Sequence, residues 1–244
     1  MNWFKYAVPV RFYALTGILI PFFSILAFVL IIIGLYLSFF VAPVDYKQGD
    51  GYRIIFIHVP AAWMSMFIYM VMTFWALLGF IMNTRLSGMM VRALAPTGAL
   101  FTFLALWTGV FWGKPMWGSW WEWDARLTSE LILLFIYMGY MALQSAIDDV
   151  RRADKAGALF VTVGAINIPI IYYSVVWWNS IHQGSTVKMS GSSMVSTMLW
   201  TMLIMALGFW MYSIAMALLR VRCEMLEREK QTTWVSQLTE VQNG

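Results

Sequence analysis

Two histidines and a cluster of tryptophans are the residues of this chain whose types and spacing suggest chemistry. His58 and His182 are its only histidines, and residues 112–124 read WGKPMWGSWWEWD, with five tryptophans in thirteen positions. Neutral imidazole is a common ligand of haem iron, and histidine pairs are typical of b-type haems. A loop so rich in large apolar rings suits a large, flat, apolar ligand. Together the two features predict a haem platform.

Both features also have simpler explanations. A lone histidine near a membrane interface is usually a hydrogen-bonded structural residue, so ligation and a structural role stay open for the pair. Tryptophans often form an interfacial belt at the level of the lipid headgroups, which suffices for scattered residues such as Trp3, Trp200 and Trp210. Clustering favours a ligand platform for the remaining candidates. These are Trp112, Trp117, Trp120, Trp121 and Trp123.

The elements that must position these residues are transmembrane helices. Sixty-one per cent of the 244 residues are apolar and only 11% are charged, about half the charge of a typical soluble domain. Apolar runs long enough to cross a ~30 Å hydrocarbon core recur along the chain. Six spans are predicted, at roughly 14–41, 55–82, 93–112, 127–147, 157–178 and 196–219. The sequence therefore predicts an all-α integral membrane protein.

The basic residues predict how the spans are oriented. Eleven of the 16 Lys and Arg residues fall on one side of the predicted spans and five on the other. Because cytoplasmic loops carry the excess of positive charge, both termini are predicted to be cytoplasmic. The loops at 43–53, 113–126 and 179–193 are then external. His58 begins span two and His182 follows span five, so both imidazoles should lie at the outer surface beside the tryptophans.

Cationic side chains on this outer face suggest partners for the two propionates of haem. Arg53 and Arg126 are better candidates than Lys114 and Lys188, because arginine pairs with carboxylates in a bidentate manner. The alternative is that the arginines merely balance nearby acidic residues. Glu130, in the first turns of span four, is interpreted as structural, since a helix N-terminus favours negative charge.

Local signals within the tryptophan loop predict its backbone. The start of the loop contains the turn-forming residues Gly113, Pro115 and Gly118. They predict an irregular backbone there and not a plain helix end. Ser119 and Glu122 have the S-x-x-E spacing of a capping box, which predicts a short surface helix leading into span four.

Several function classes lack their motifs in this sequence. No phosphate-binding loop, HExxH motif or nucleophile elbow is present, so ATP hydrolysis would have to come from a partner subunit and the chain is not expected to be an enzyme. The single cysteine, Cys223, excludes an internal disulfide and any CxxC motif. We expect a six-span membrane domain over residues 1–219, with its haem-handling loop at 112–126, and a cytoplasmic tail over 220–244.

Three stretches of the sequence carry a resemblance to a known family. Residues 112–140 (WGKPMWGSWWEWDARLTSELILLFIYMGY) look like the WWD signature of the haem-handling membrane proteins of cytochrome c biogenesis, and residues 52–65 and 172–186 also match. With six spans and one histidine pair, the chain resembles the cytochrome c maturation protein C (haem exporter protein C, CcmC) family.

The resemblance implies roles for particular residues and a set of partners. His58 and His182 become candidate axial ligands of haem iron, with haem b bound transiently as cargo. The platform implied is Trp112, Trp117, Trp120, Trp121, Trp123 and Asp124. The implied partners are a membrane-anchored periplasmic haem chaperone, the ATPase and membrane subunits of an ATP-binding-cassette transporter, and a small single-span subunit. The implied location is the bacterial inner membrane.

The leading hypothesis is delivery of haem to that chaperone at the periplasmic surface. The alternative is a transporter that moves haem across the inner membrane as part of an ABC-type complex. Transport calls for intramembrane charge or broken helices, and Pro96 and Pro169 could break spans three and five.

Overall fold

Six long apolar helical segments lie in the part of the chain that the structure describes, which confirms the predicted number of spans and the all-α class. The spans are Pro9–Val41, Asp50–Met82, Arg85–Trp117, Ala125–Ala146, Val150–Trp177 and Ser196–Arg228. The structure is a computed structural model that describes residues 8–178, 180, 182, 187–188 and 191–243.

Most of the helices follow one another through short connections. Helix α1 (Pro9–Tyr36) ends in a wider π-helical turn, Leu37–Val41, and a 3-10 turn, Asp50–Ile54, leads into α2 (Ile55–Met82). Asn83 adopts a left-handed conformation that turns the chain into α3 (Arg85–Trp117). The remaining elements are α4 (Ala125–Ala146), α5 (Val150–Gly164), α6 (Asn167–Trp177), β1 (Val187–Lys188), β2 (Gly191–Ser192), α7 (Ser196–Arg228) and α8 (Thr233–Asn243). The two-residue strands pair antiparallel.

Helices α2 and α3 form the centre of the bundle. The two-residue connection between them makes them antiparallel neighbours; α7 packs on both, and α1 packs on α7. Helix α4 packs on α3, α5 and α6. Tyr69 of α2 and Tyr137 of α4 meet edge to face, with ring centroids 5.2 Å apart and both side chains fully buried. Gly98 of α3 permits this, because a Cβ there would lie 2.2 Å from Tyr137 Cζ.

Of the two prolines that could break a span, Pro169 coincides with a break and Pro96 does not. Span five is divided into α5 and α6 at Ala165–Ile166, four residues before Pro169. Proline has no N–H to donate, and its ring crowds the carbonyl of the residue four positions earlier, which is Ala165. Helix α3 continues through Pro96 without interruption.

Helices α3 and α7 extend beyond the predicted spans. Each has 33 residues, or about 50 Å of helix at about 1.5 Å per residue. Because that exceeds the ~30 Å hydrocarbon core, both helices project from it. Helix α3 carries Trp112 and Trp117 in its last turns, while α7 runs across the predicted start of the tail at residue 220 and ends at Arg228.

Three connections meet at one end of the bundle, which we call the histidine end. Trp112 Nε1 donates to Gln48 Oε1 (3.0 Å), which joins the end of α3 to the turn after α1. Asp124 Oδ1 lies 3.3 Å from His182 Nδ1, which joins the start of α4 to the chain after α6. The predicted proximity of the loops and both histidines is therefore present in the fold. That this end faces the outside stays a prediction from the charge distribution.

Candidate functional site

Both histidines line one cleft at the histidine end of the bundle. We call it the histidine cleft; its lining residues are His58, Ala62, Ala105, Leu106, Gly109, Arg126, Leu127, Glu130 and His182. His58 lies in the first turn of α2, and His182 lies on the connection after α6. The cleft has a volume of about 30 Å³, which is room for two or three water molecules.

The His58 ring is held by hydrogen bonds from one of its two nitrogens. Its Nδ1 lies 3.0 Å from the carbonyl oxygen of Ala105 and 3.0 Å from the hydroxyl of Thr108. A carbonyl oxygen only accepts, so the hydrogen-bond partners assign the proton to Nδ1. The Thr108 hydroxyl donates to Leu104 O (2.6 Å) and can accept from the imidazole. Nε2 is therefore left unprotonated, as a metal ligand requires.

Asp124 connects His182 to the start of α4. The Asp124 carboxylate accepts from the backbone N–H groups of Arg126 (2.8 Å) and Leu127 (3.4 Å), so Asp124 is the N-cap of α4. The same Oδ1 atom lies 3.3 Å from His182 Nδ1, within ion-pair distance but without the alignment of a hydrogen bond. The side chains are 3% and 18% exposed, respectively.

The electrostatics of this contact favour a charged Asp124 beside a neutral His182. Burial alone raises the pKa of Asp124, but hydrogen bonds from Ser180 and from the N–H of Arg126, together with nearby His182, bring that pKa below its ordinary value. Burial lowers the pKa of His182, and the charge of Asp124 opposes this only in part. His182 is therefore neutral near pH 7, as metal ligation requires.

Each histidine also contacts one of the predicted platform tryptophans. Trp112 meets His58 edge to face, with ring centroids 5.5 Å apart. Trp117 meets His182 in the same manner at 5.1 Å. Because both tryptophans belong to the last turns of α3, one helix end positions a ring against each imidazole.

None of the five tryptophans lines the cleft itself, and the other three lie on the loop after α3. Trp120 packs edge to face on Phe111 at 5.8 Å, and Trp121 packs on Trp123 at 5.6 Å. Trp120 is 52% exposed and Trp123 is 78% exposed. Their exposure leaves them available to a ligand, a lipid or a second protein.

The backbone of the tryptophan loop differs from the two local predictions. Helix α3 continues through Gly113 and Pro115 to Trp117, so the turn begins only at Gly118, whose φ of 81° is accessible to glycine. Lys114 Nζ donates to Gly118 O (2.9 Å) and closes this helix end. Residues 118–124 are not helical, so the surface helix predicted from Ser119 and Glu122 is wrong. Asp124 is instead the N-cap of α4, because its carboxylate accepts hydrogen bonds from the backbone N–H groups of Arg126 and Leu127.

The two predicted propionate partners have different surroundings. Arg126 lines the histidine cleft. Arg53 is engaged elsewhere: its Nε bonds Asp50 at 2.8 Å, and its Nη1 donates to the carbonyl oxygens of Ser38 and Ala42. Arg53 thus ties the end of the first span to the start of the second. Of the two arginines, only Arg126 lines the cleft.

Glu130 and Gly109 line the cleft without having been predicted there. Glu130 accepts a hydrogen bond from Ser65 (2.6 Å) and lies one helical turn after Arg126, a spacing that could have indicated a shared face. A Cβ at Gly109 would lie 3.1 Å from His58 Cε1, so the absence of a side chain makes room for the imidazole. No sequence signal marks Gly109, because its function depends on a neighbouring helix.

Comparisons with known proteins agree with the predicted resemblance. The family model for heme exporter protein C matches residues 2–236. Heme exporter protein C of Escherichia coli strain K12 is 48% identical over 235 residues, 95% of this chain and 94% of that protein. The Bradyrhizobium diazoefficiens protein of the same name is 48% identical over 223 residues, 91% and 84% of the two chains.

A protein named as mitochondrial is a third relative. A protein of Marchantia polymorpha, named as a putative cytochrome c biosynthesis ccmC-like mitochondrial protein, is 47% identical over 181 residues, 74% of this chain and 77% of its own. The family model matches nearly the whole length of this chain. The chain therefore belongs to the heme exporter protein C (CcmC) family.

Proposed function

We propose that this protein takes part in cytochrome c maturation by holding haem at the periplasmic surface of the inner membrane and delivering it to a membrane-anchored haem chaperone. The observation that carries the proposal is the pair of histidines lining one cleft, with His58 Nε2 free to bind iron. Family membership supports a role in cytochrome c maturation, since relatives are named for haem export and cytochrome c biosynthesis.

The residues around the cleft suit haem as cargo. Two neutral imidazoles are a common ligand set for haem iron. Arg126 provides a cation for a propionate, and Trp112 and Trp117 provide apolar rings beside the imidazoles. At about 30 Å³ the cleft cannot enclose a porphyrin. We infer that haem lies at the mouth, and that His182, which is on a connection and not in a helix, moves to admit it.

Surface binding of this kind suits a protein that passes its ligand on. The exposed Trp120 and Trp123 then form the edge of the site that a chaperone approaches. The transfer needs no hydrolytic motif in this chain. An ATP-binding-cassette pair and a small single-span subunit are the proposed partners that supply energy and complete the complex.

A haem-transfer assay tests this proposal. The full-length protein is purified from haem-replete cells, and its absorption spectrum is recorded before and after addition of the haem-free chaperone. We expect a Soret band typical of bis-histidine haem, which passes to the chaperone fraction when the two proteins are separated. A protein that purifies without haem, takes up none when haem is added and loads no chaperone would refute the proposal.

Replacement of Gly109 should weaken haem binding without unfolding the protein. In Gly109→Ala, the new Cβ would lie 3.1 Å from His58 Cε1, so the imidazole must move by a few tenths of an ångström, which disturbs its hydrogen bonds to Ala105 O and Thr108. We expect haem affinity to fall roughly tenfold, as when other supports of a metal ligand are lost. Gly51→Ala is the matched control, because a Cβ there meets nothing within 4 Å. Equal haem-to-protein absorbance ratios in the two variants would contradict this.

One observation favours transport as a second candidate function. The break between α5 and α6 at Ala165–Ile166 is the kind of discontinuity found at the binding sites of transporters. The bundle beneath the histidine cleft is closed, however, because Tyr69, Tyr137 and Ser65 are fully buried there. Haem uptake by liposomes containing this chain alone would support transport, and its absence would favour handling at the surface.

A further inference from the structure

A second cavity lies at the opposite end of the bundle from the histidines. We call it the basic cavity; it has a volume of about 300 Å³, ten times that of the histidine cleft. Its lining comes from α2, α3, α4, α5 and the connection between α2 and α3. Its lining residues include Trp75, Phe80, Arg85, Tyr140, Arg151, Asp154 and Lys155.

The charge of this cavity is positive. Arg85, Arg151 and Lys155 line it, and none of them forms an ion pair with a residue that the structure describes. The one acidic lining residue, Asp154, is already neutralised by Arg228 through two hydrogen bonds of 2.8 and 3.1 Å. Three uncompensated cations therefore surround one opening.

A buried hydroxyl adds a polar contact deeper in the cavity. Tyr140 lines both the basic cavity and a smaller one beside it, and its side chain is only 2% exposed. Among the described residues this hydroxyl has no hydrogen-bond partner, and its oxygen is not one of the fully enclosed side-chain atoms, so it borders the cavity. It is therefore free to donate to a ligand that enters past the three cations.

The cavity opens where a lipid would be. Trp75 and Phe80 supply apolar walls from the end of α2. Phe80 is 68% exposed and its neighbour Ile81 is 78% exposed on a membrane-spanning helix, so this flank faces acyl chains. Cations, a buried hydroxyl and an apolar flank at the end of a span together match an anionic headgroup with its chains attached. They do not match a free soluble anion, which has no apolar part to contact the apolar flank.

From this arrangement we infer that the basic cavity binds an anionic phospholipid, with Arg85, Arg151 and Lys155 around its phosphates, Tyr140 beneath them and the acyl chains against Trp75 and Phe80. Basic pockets between transmembrane helices bind the headgroups of diphosphate lipids such as cardiolipin. Three cations suit two phosphates better than one. The inference does not depend on haem binding at the histidine end.

Lipid retention by the full-length protein tests the site. The protein is purified in mild detergent, exchanged into nanodiscs of phosphatidylcholine containing a small fraction of cardiolipin, and its bound lipid is measured by native mass spectrometry. The variant Arg85→Gln/Arg151→Gln/Lys155→Gln removes the three cations of the cavity. Its matched control, Arg11→Gln/Arg152→Gln/Lys230→Gln, removes three exposed cations that do not line the cavity.

We expect the cavity variant to bind cardiolipin at least about tenfold more weakly than the control, since each basic residue near an anionic lipid contributes roughly fivefold. Tyr140→Phe, which leaves the charge unchanged, should weaken retention several-fold and provides a second test if the triple variant misfolds. Inorganic phosphate added in excess should not displace the lipid. Equal losses in both triple variants together with wild-type retention in Tyr140→Phe, or displacement by phosphate alone, would overturn the inference.

Discussion

His58→Ala and His182→Ala should each lose most of the haem that the wild-type protein retains. Loss of a residue that merely supports a metal ligand costs about 10–100-fold in affinity, so loss of a ligand should cost at least about 100-fold. The two variants should differ in stability. His58 is held by Ala105 O and Thr108 within the bundle, whereas His182 lies on a connection, so His58→Ala should be the more destabilising. The Soret absorbance per protein measures the first effect and thermal unfolding the second.

Added imidazole is the control for this pair of variants. The chain has no third histidine that could replace the missing ligand. Free imidazole should therefore restore part of the Soret band, most readily in His182→Ala, because His182 lies on a connection and not in a helix. If both variants carry as much haem as the wild type and still load the chaperone, the ligand assignment is wrong.

Asp124→Asn and Asp124→Ala should separate two roles of one carboxylate. Asn and Asp are about equally good N-caps, so Asp124→Asn should preserve α4, while Asp124→Ala should lose about 1 kcal/mol of stability. Both remove the negative charge 3.3 Å from His182 Nδ1. We therefore expect both variants to bind haem about 10–100-fold more weakly, as when the carboxylate partner of a ligating histidine is lost. Haem titration and thermal unfolding of the two variants measure the two roles.

The pH dependence of haem binding gives a readout that a purely structural role of Asp124 would not change. Protons compete with iron for His182, so affinity should fall as the pH drops through the lowered pKa of this residue. The charge of Asp124 raises that pKa, although burial outweighs it. Without the charge the pKa falls further, so in Asp124→Asn the acid loss of haem should begin at a lower pH than in the wild type. An unchanged midpoint would show that Asp124 acts only as a helix cap.

Hydropathy and charge were sufficient to predict the spans and the proximity of the histidines to the tryptophan loop. A helix of about 20 apolar residues must cross the membrane, and alternating crossings bring odd-numbered connections to one side. His58 and His182 flank such connections, so their approach follows from counting. The individual contacts of the two histidines do not follow from counting, because Trp112 meets His58 only through the relative rotation of α2 and α3.

The sequence was less informative about the tryptophan loop itself. Ser119 and Glu122 have capping-box spacing, and Asp124 is also a good cap five residues later. Local sequence rules do not show which of these two candidate helix starts is used. Tertiary contacts decide, because Trp120 packs on Phe111 and Trp121 packs on Trp123. These contacts hold residues 120–123 in a non-helical conformation. Arg53 and Arg126 were equally plausible from their types. Only the fold shows that Asp50 and two carbonyl oxygens already engage Arg53.

The placement of the two imidazoles has a mechanical consequence. His58 belongs to α2, whereas His182 lies on a connection that contacts the start of α4 through Asp124 and the end of α3 through Trp117. Iron bound by both would cross-link segments that lie 124 positions apart in the chain, and would stabilise the folded state by an amount that grows with the logarithm of the ratio of the haem concentration to its dissociation constant. Release of the cargo removes that cross-link. A recipient would therefore have to bind haem tightly enough to offset the stability that this protein would lose.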